Sequence, residues 1–269
     1  MSNAKCPNCV GLPVEIAITK FALSKGYVVV AQSSKDRASR CWTSDDVPLA
    51  TKTVARLREK MNIPADLPNV LIGASSGGSL VALLSLVLPN TAAACVHVSA
   101  MPSEHQHMLH SLPHPPALMF LHMSRDKRTS RDIERMVTNN EKNLSKNKPN
   151  IVDFLIYPKI IDNSYFFDHS EALSLSDSAL VVGALKKYNI VSPVSGLLLG
   201  DPRRSTWRDV VSTALPHVVP SRDSLLADQS AVSELLNLAY AMHEVTDDYL
   251  KEVFAFFELA AVELRKGKQ

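Results

Sequence analysis

The stretch NVLIGASSGGSLVALLSLVL, residues 69–88, constrains this chain more than any other. Asn69 to Ala74 read as a short apolar strand, and Gly78 to Leu88 as a helix with an apolar face. Between them Gly73-Ala74-Ser75-Ser76-Gly77 matches G-x-S-x-G. In a strand–turn–helix context that pattern lifts a serine hydroxyl above the end of a sheet. The chain doubles back so tightly there that side chains at the flanking positions would collide, and glycine removes them. Ser75, the centre of the pattern, is the candidate nucleophile. The backbone N–H of Ser76 is the candidate donor to a developing oxyanion. The bland alternative is an ordinary strand–helix turn built of small residues. A dinucleotide loop fits poorly, because Gly73-x-x-x-Gly77-Gly78 is not G-x-G-x-x-G and no fitting acidic residue follows about 20 positions on.

The rest of the chain supplies the setting. Residues 13–25 read as an amphipathic helix stopped at Gly26. Tyr27 to Ala31, YVVVA, reads as a buried parallel strand, being β-branched and without alternation. A polar loop over 32–45 follows, then a helix over 47–60 that Asp45 or Asp46 would cap. Further strands are expected at Ala92 to Ser99, Ala117 to His122 and Ile151 to Tyr157, with a polar helix over 131–146. This alternation predicts an α/β protein with a mainly parallel sheet and helices on both faces. From about residue 162 the alternation stops, and helices are read at 171–188, 206–214 and 230–242. The expected organisation is a core of 1–161 and 241–269 with a helical insertion, 162–240. A final helix over 246–265 would start at Thr246.

Composition narrows the function. The formal net charge is +2, with 21% charged and 46% hydrophobic residues, and no stretch is strongly basic. A nucleic-acid partner is therefore not expected. No run of about 18 apolar residues exists to span a membrane. The start of the chain, MSNAKCPNCVG, lacks an apolar leader, so a reducing, cytoplasmic compartment is expected unless a longer precursor is secreted. Cys6 and Cys9 form a lone C-x-x-C, to which Cys41 and Cys95 add no second pair, so neither zinc nor redox use is expected. His105, His107, His110 and His114 fall in a Pro-rich stretch, 102–116, and read as a solvated loop rather than a metal site.

A serine hydroxyl needs a histidine to take its proton and an acid to orient that histidine. Asp126 lies just past the strand ALMFLH, in a turn at the strand's carboxyl end, and is the candidate acid; capping the next helix is its ordinary alternative. Among the histidines, His97 and His122 sit within strands and read as core. His243, just ahead of the last helix, fits the chain order Ser…Asp…His. His169, soon after the last strand, is the alternative base. Arg203, Arg204, Trp207 and Arg208 would suit an anionic substrate, although packing and surface pairing are the commoner fate of such residues.

These residues carry a resemblance. The chain resembles the α/β-hydrolase superfamily over roughly 12–158 and 240–265, through GASSG and more weakly through SRDKRT and AMHEVT. LLLGDPRRSTWR is similar to the helical cap insertion of a poorly characterised subgroup. The resemblance implies a Ser75–Asp126–His243 triad and hydrolysis of an ester-type bond in a small molecule through an acyl-enzyme, with no cofactor. It also implies strands ahead of the first core helix, one of them ending in a loop that gives the second oxyanion N–H. No apolar strand precedes Leu12 here, so the chain reads as shortened at its N-terminus. The alternative is thus a catalytically impaired protein of the same fold that binds a small hydrophobic ligand or a protein partner. Oligomeric state is not legible.

Overall fold

The computed structural model describes residues 11–143, 148–216, 225–226 and 230–267, so Cys6 and Cys9 lie outside the described residues. In chain order the elements are α1 (Pro13–Ser24), α2 (Val47–Lys60), β1 (Asn69–Ala74), α3 (Ser76–Val87), β2 (Thr91–His97), α4 (Ser103–Ser111), β3 (Ala117–Met123), α5 (Lys127–Lys142) and β4 (Ile151–Ile156). They continue with α6 (Tyr165–His169), α7 (Leu175–Lys187), α8 (Trp207–Ala214), α9 (Ala231–Tyr240) and α10 (Leu250–Lys266). The chain divides into two compact units, Met1–Tyr27 with Tyr157–Asp247, and Val28–Ile156 with Asp248–Gln269. The sequence reading grouped α1 and residues 241–247 with the sheet; packing groups both with the helices that follow β4.

The second unit is an α/β fold. Its sheet is parallel throughout, in the order β1-β2-β3-β4. Crossovers between parallel strands share one hand, so a steadily advancing strand order puts every crossover helix on one face. Leu71, Ala94, Val96, Leu118, Phe120 and Ile151 line that face and pack against Val81 and Leu86 of α3, Leu109 of α4, and Ile133 and Met136 of α5. The opposite face falls to α10, which packs on β2 and β3. There Phe154, of opposite parity to Ile151, sets its ring 4.7 Å from that of Tyr249. α2 covers α3 through Ala50 and Leu84.

Three local expectations are corrected. YVVVA is not a strand. Residues 28–31 belong to no strand or helix, and Val28, Val29 and Val30 are 52%, 39% and 44% exposed. A β-branched run favours a pleated surface only where a neighbouring strand completes it. The histidine-rich stretch is a helix over Ser103–Ser111, not a loop, anchored by buried Leu109. Pro102 and Pro113 suggested a loop, yet Pro102 occupies the N-cap position, outside the helical hydrogen bonds. α10 begins at Leu250, with Tyr249 at its N-cap and Thr246 buried ahead of it. Asp46 does precede α2, but its carboxylate turns back to accept from the amides of Lys35 and Thr43, closing the loop before the helix.

The first unit is helical. α9 is buried along Ala231–Ala239, as a helix apolar on most sides must be, and α1 and α6 pack against it. Ser230 caps α9 through the Ser233 amide, and Ser174 caps α7 through that of Asp177. No helix among the described residues is long and apolar enough to cross a membrane.

Candidate active site

At the turn from β1 to α3 Ser75 adopts φ 53°, ψ −123°. A positive φ is sterically costly for an L-residue with a side chain, on the order of 1–3 kcal/mol. The surroundings hold it there. The Ser75 amide donates to the His97 carbonyl at 2.9 Å, and the Ser79 amide donates to the Ser75 carbonyl at 3.1 Å. A Cβ on Gly73 would lie 2.3 Å from the Gly77 carbonyl oxygen, so no larger residue fits beneath the bend. A Cβ on Gly77 would press to 3.2 Å from the Trp42 ring. Both glycines of the pattern therefore answer to a close approach. The result is a strained, half-buried serine at the tip of a strand, at the entry of a helix.

Ser76 is the first residue of α3, and its amide belongs to the helix N-terminus, where backbone N–H groups lack helical partners. Its hydroxyl accepts the Trp42 amide at 3.1 Å. This bond ties the 32–46 loop to the bend, a contact nothing in the sequence signalled.

Asp126 follows β3 and is buried. It is the N-cap of α5, accepting the Thr129 amide at 3.2 Å. The capping role therefore holds, and it fixes the carboxylate at the same end of the parallel sheet as Ser75, with β2 between them. His97 ends β2 and is buried, 3.5 Å from the Cys95 sulfur. Burial pushes the His97 imidazole down to about 4 and the Cys95 thiol well up, so both are neutral at pH 7. Cys95 is thus no thiolate nucleophile.

His122 belongs to a network the sequence reading passed over. Its Nε2 lies 2.9 Å from Asp153 Oδ2 and its Nδ1 2.9 Å from Ser130 Oγ. Ser130 Oγ is also placed to donate to the Met123 carbonyl at 3.0 Å. These are the residue types of a triad, but the serine, in α5, and the histidine, in β3, are both buried. A hydroxyl has one proton, so it serves either His122 or Met123. The cluster joins β3, β4 and α5. A histidine at i and a serine at i+8 carry no signal that finds it.

The two candidate bases lie in the first unit. His243 is exposed and follows α9, at φ 48°, two residues after Ala241 at φ 56°. His169, the last residue of α6, donates from Nδ1 to the Tyr165 carbonyl at 2.8 Å, with its ring 4.6 Å from that of Tyr165. Of the basic cluster, Arg203 donates to the Met242 and His243 carbonyls, and Arg208 donates to the Leu225 carbonyl while covering the buried Trp207 ring at 4.7 Å. Backbone carbonyls engage both arginines. Among the described residues no group of three or more His, Cys, Asp or Glu is placed to hold a metal ion. The chain matches no protein-family model and no curated protein.

Proposed function

We propose that this chain is a serine hydrolase acting on an ester-type bond, of the α/β-hydrolase kind. The observation that carries the reading is Ser75, held at positive φ between a parallel strand and a helix over a glycine that admits no side chain. In this reading Ser75 Oγ attacks the substrate carbonyl while His243 takes its proton, with Asp126 orienting the imidazole and His169 the alternative base. The Ser76 N–H stabilises the oxyanion. Collapse of the tetrahedral intermediate expels the alcohol, which takes the proton from His243. Water then cleaves the acyl-enzyme by the same route. No step calls for a cofactor.

One observation favours the second reading, a protein of the same fold that binds a small hydrophobic ligand or a protein partner without turnover. Among the described residues β1, the strand carrying Ser75, is an edge of the sheet rather than an interior strand. Turnover of p-nitrophenyl butyrate separates the two. The hydrolase reading expects measurable hydrolysis that falls by on the order of 10⁴-fold or more in Ser75→Ala and in His243→Ala. Wild-type hydrolysis no faster than that of Ser75→Ala decides for the binding protein.

A further inference from the structure

The loop that carries His243 holds two positive-φ residues within three positions, Ala241 at 56° and His243 at 48°. Neither is glycine, so each is strained, and such strain persists only where neighbours over-determine it. Ala241 is the left-handed C-cap of α9, its amide donating to the Leu238 carbonyl, and at His243 one such neighbour is Arg203. Its Nη1 donates to the Met242 carbonyl at 2.7 Å and its Nη2 to the His243 carbonyl at 2.9 Å. Nη2 also lies 3.6 Å from Glu244 Oε2, which accepts from Asn237 Nδ2 of α9 at 3.0 Å. One planar guanidinium thus grips two successive carbonyls and faces the next side chain. Arg203 is fixed in turn: it sits in the 3₁₀ turn Pro202–Arg204, which Asp201 caps by accepting the Arg203 amide at 2.9 Å.

From this clamp we infer that Arg203 is the positioning residue of the candidate base, holding the backbone of His243 in a conformation it would not keep alone. The role rests on the reading of His243 as the base. It gives the GDPRRS segment a role that its basic composition does not signal. Lysine is no substitute, since a single ammonium on a flexible stem does not reproduce a rigid fork on two carbonyls.

The test uses the full chain with Arg203→Ala and Arg203→Lys, read by amide hydrogen exchange over 242–246 and by kcat and KM for p-nitrophenyl butyrate. The inference expects faster exchange over 242–246 in Arg203→Ala, with α9 and α10 still protected. It expects kcat to fall on the order of 10²-fold, as misplacement of a reacting group by about 1 Å does, with KM little changed. Arg203→Lys folds and recovers only part of kcat. Unchanged exchange over 242–246 in Arg203→Ala overturns the clamp. Faster exchange with kcat intact, while His243→Ala is inactive, overturns the positioning role. Wild-type turnover in His243→Ala strikes instead at His243 as the base, and this role goes with it whatever the loop does.

Discussion

Gly73 and Ser75 show how much one bend asks of single residues. The serine accepts a dihedral pair that costs free energy, and the glycine beneath it leaves room for the returning helix backbone. At 2.3 Å from the Gly77 carbonyl oxygen, an added Cβ meets backbone, not the movable end of a side chain. Gly73→Ala is therefore expected to lower the unfolding free energy by about 3 kcal/mol or more, the upper range for overpacking. Urea denaturation of the wild type and variant checks this, and a loss below about 0.5 kcal/mol would show that the bend is looser than the geometry says. The bend was legible because its requirements are local: two glycines four residues apart around a serine, between a strand and a helix. The Trp42–Ser76 bond was not legible, because nothing near either residue in sequence names the other.

At the scale of elements, α1 and α9 meet through a carboxyl group. Glu234 of α9 is buried and accepts the Val14 amide of α1 at 3.2 Å. Burial, then the nearby Glu15 carboxylate, pushes its carboxyl up to about 9 from an ordinary 4.5, and the negative charge of Glu244 adds to the rise. The folded state therefore holds a proton that the unfolded state has released between those two values. The sign follows: stability on this account is greatest below pH 4.5 and falls as pH rises toward 9. Glu234→Gln keeps an acceptor for Val14 and removes the ionisation. It is expected to raise stability at pH 7 by roughly 1–3 kcal/mol and to flatten this slope. Urea midpoints at pH 5, 7 and 9 decide it, and an unchanged slope in the variant would assign the effect elsewhere. The sequence located both helices within a residue or two, because their apolar spacing and the Gly26 stop are strong signals. It did not reveal the contact. A glutamate in a helix reads as a solvent-facing charge, and only the packing of α9 on most sides makes it otherwise.

For the whole molecule, the parallel α/β sheet was readable from alternation alone, and β1 to β4 fall where the apolar runs put them. The YVVVA segment shows the limit of that method: propensity marks residues fit for a sheet, and pairing decides whether they enter one. The histidine-rich stretch shows another, since prolines that bound a short helix read as a loop. Ser75 and Asp126 belong to one compact unit and His243 and His169 to the other, and separate local patterns had to identify each candidate one at a time. The most direct measurement is to treat the folded wild-type chain with a fluorophosphonate and locate the adduct by mass spectrometry of its peptides. A stoichiometric phosphonyl group on Ser75, absent in Ser75→Ala and slowed in His243→Ala, is the predicted result. Equal labelling of wild type and Ser75→Ala, or an adduct on another residue, would contradict it.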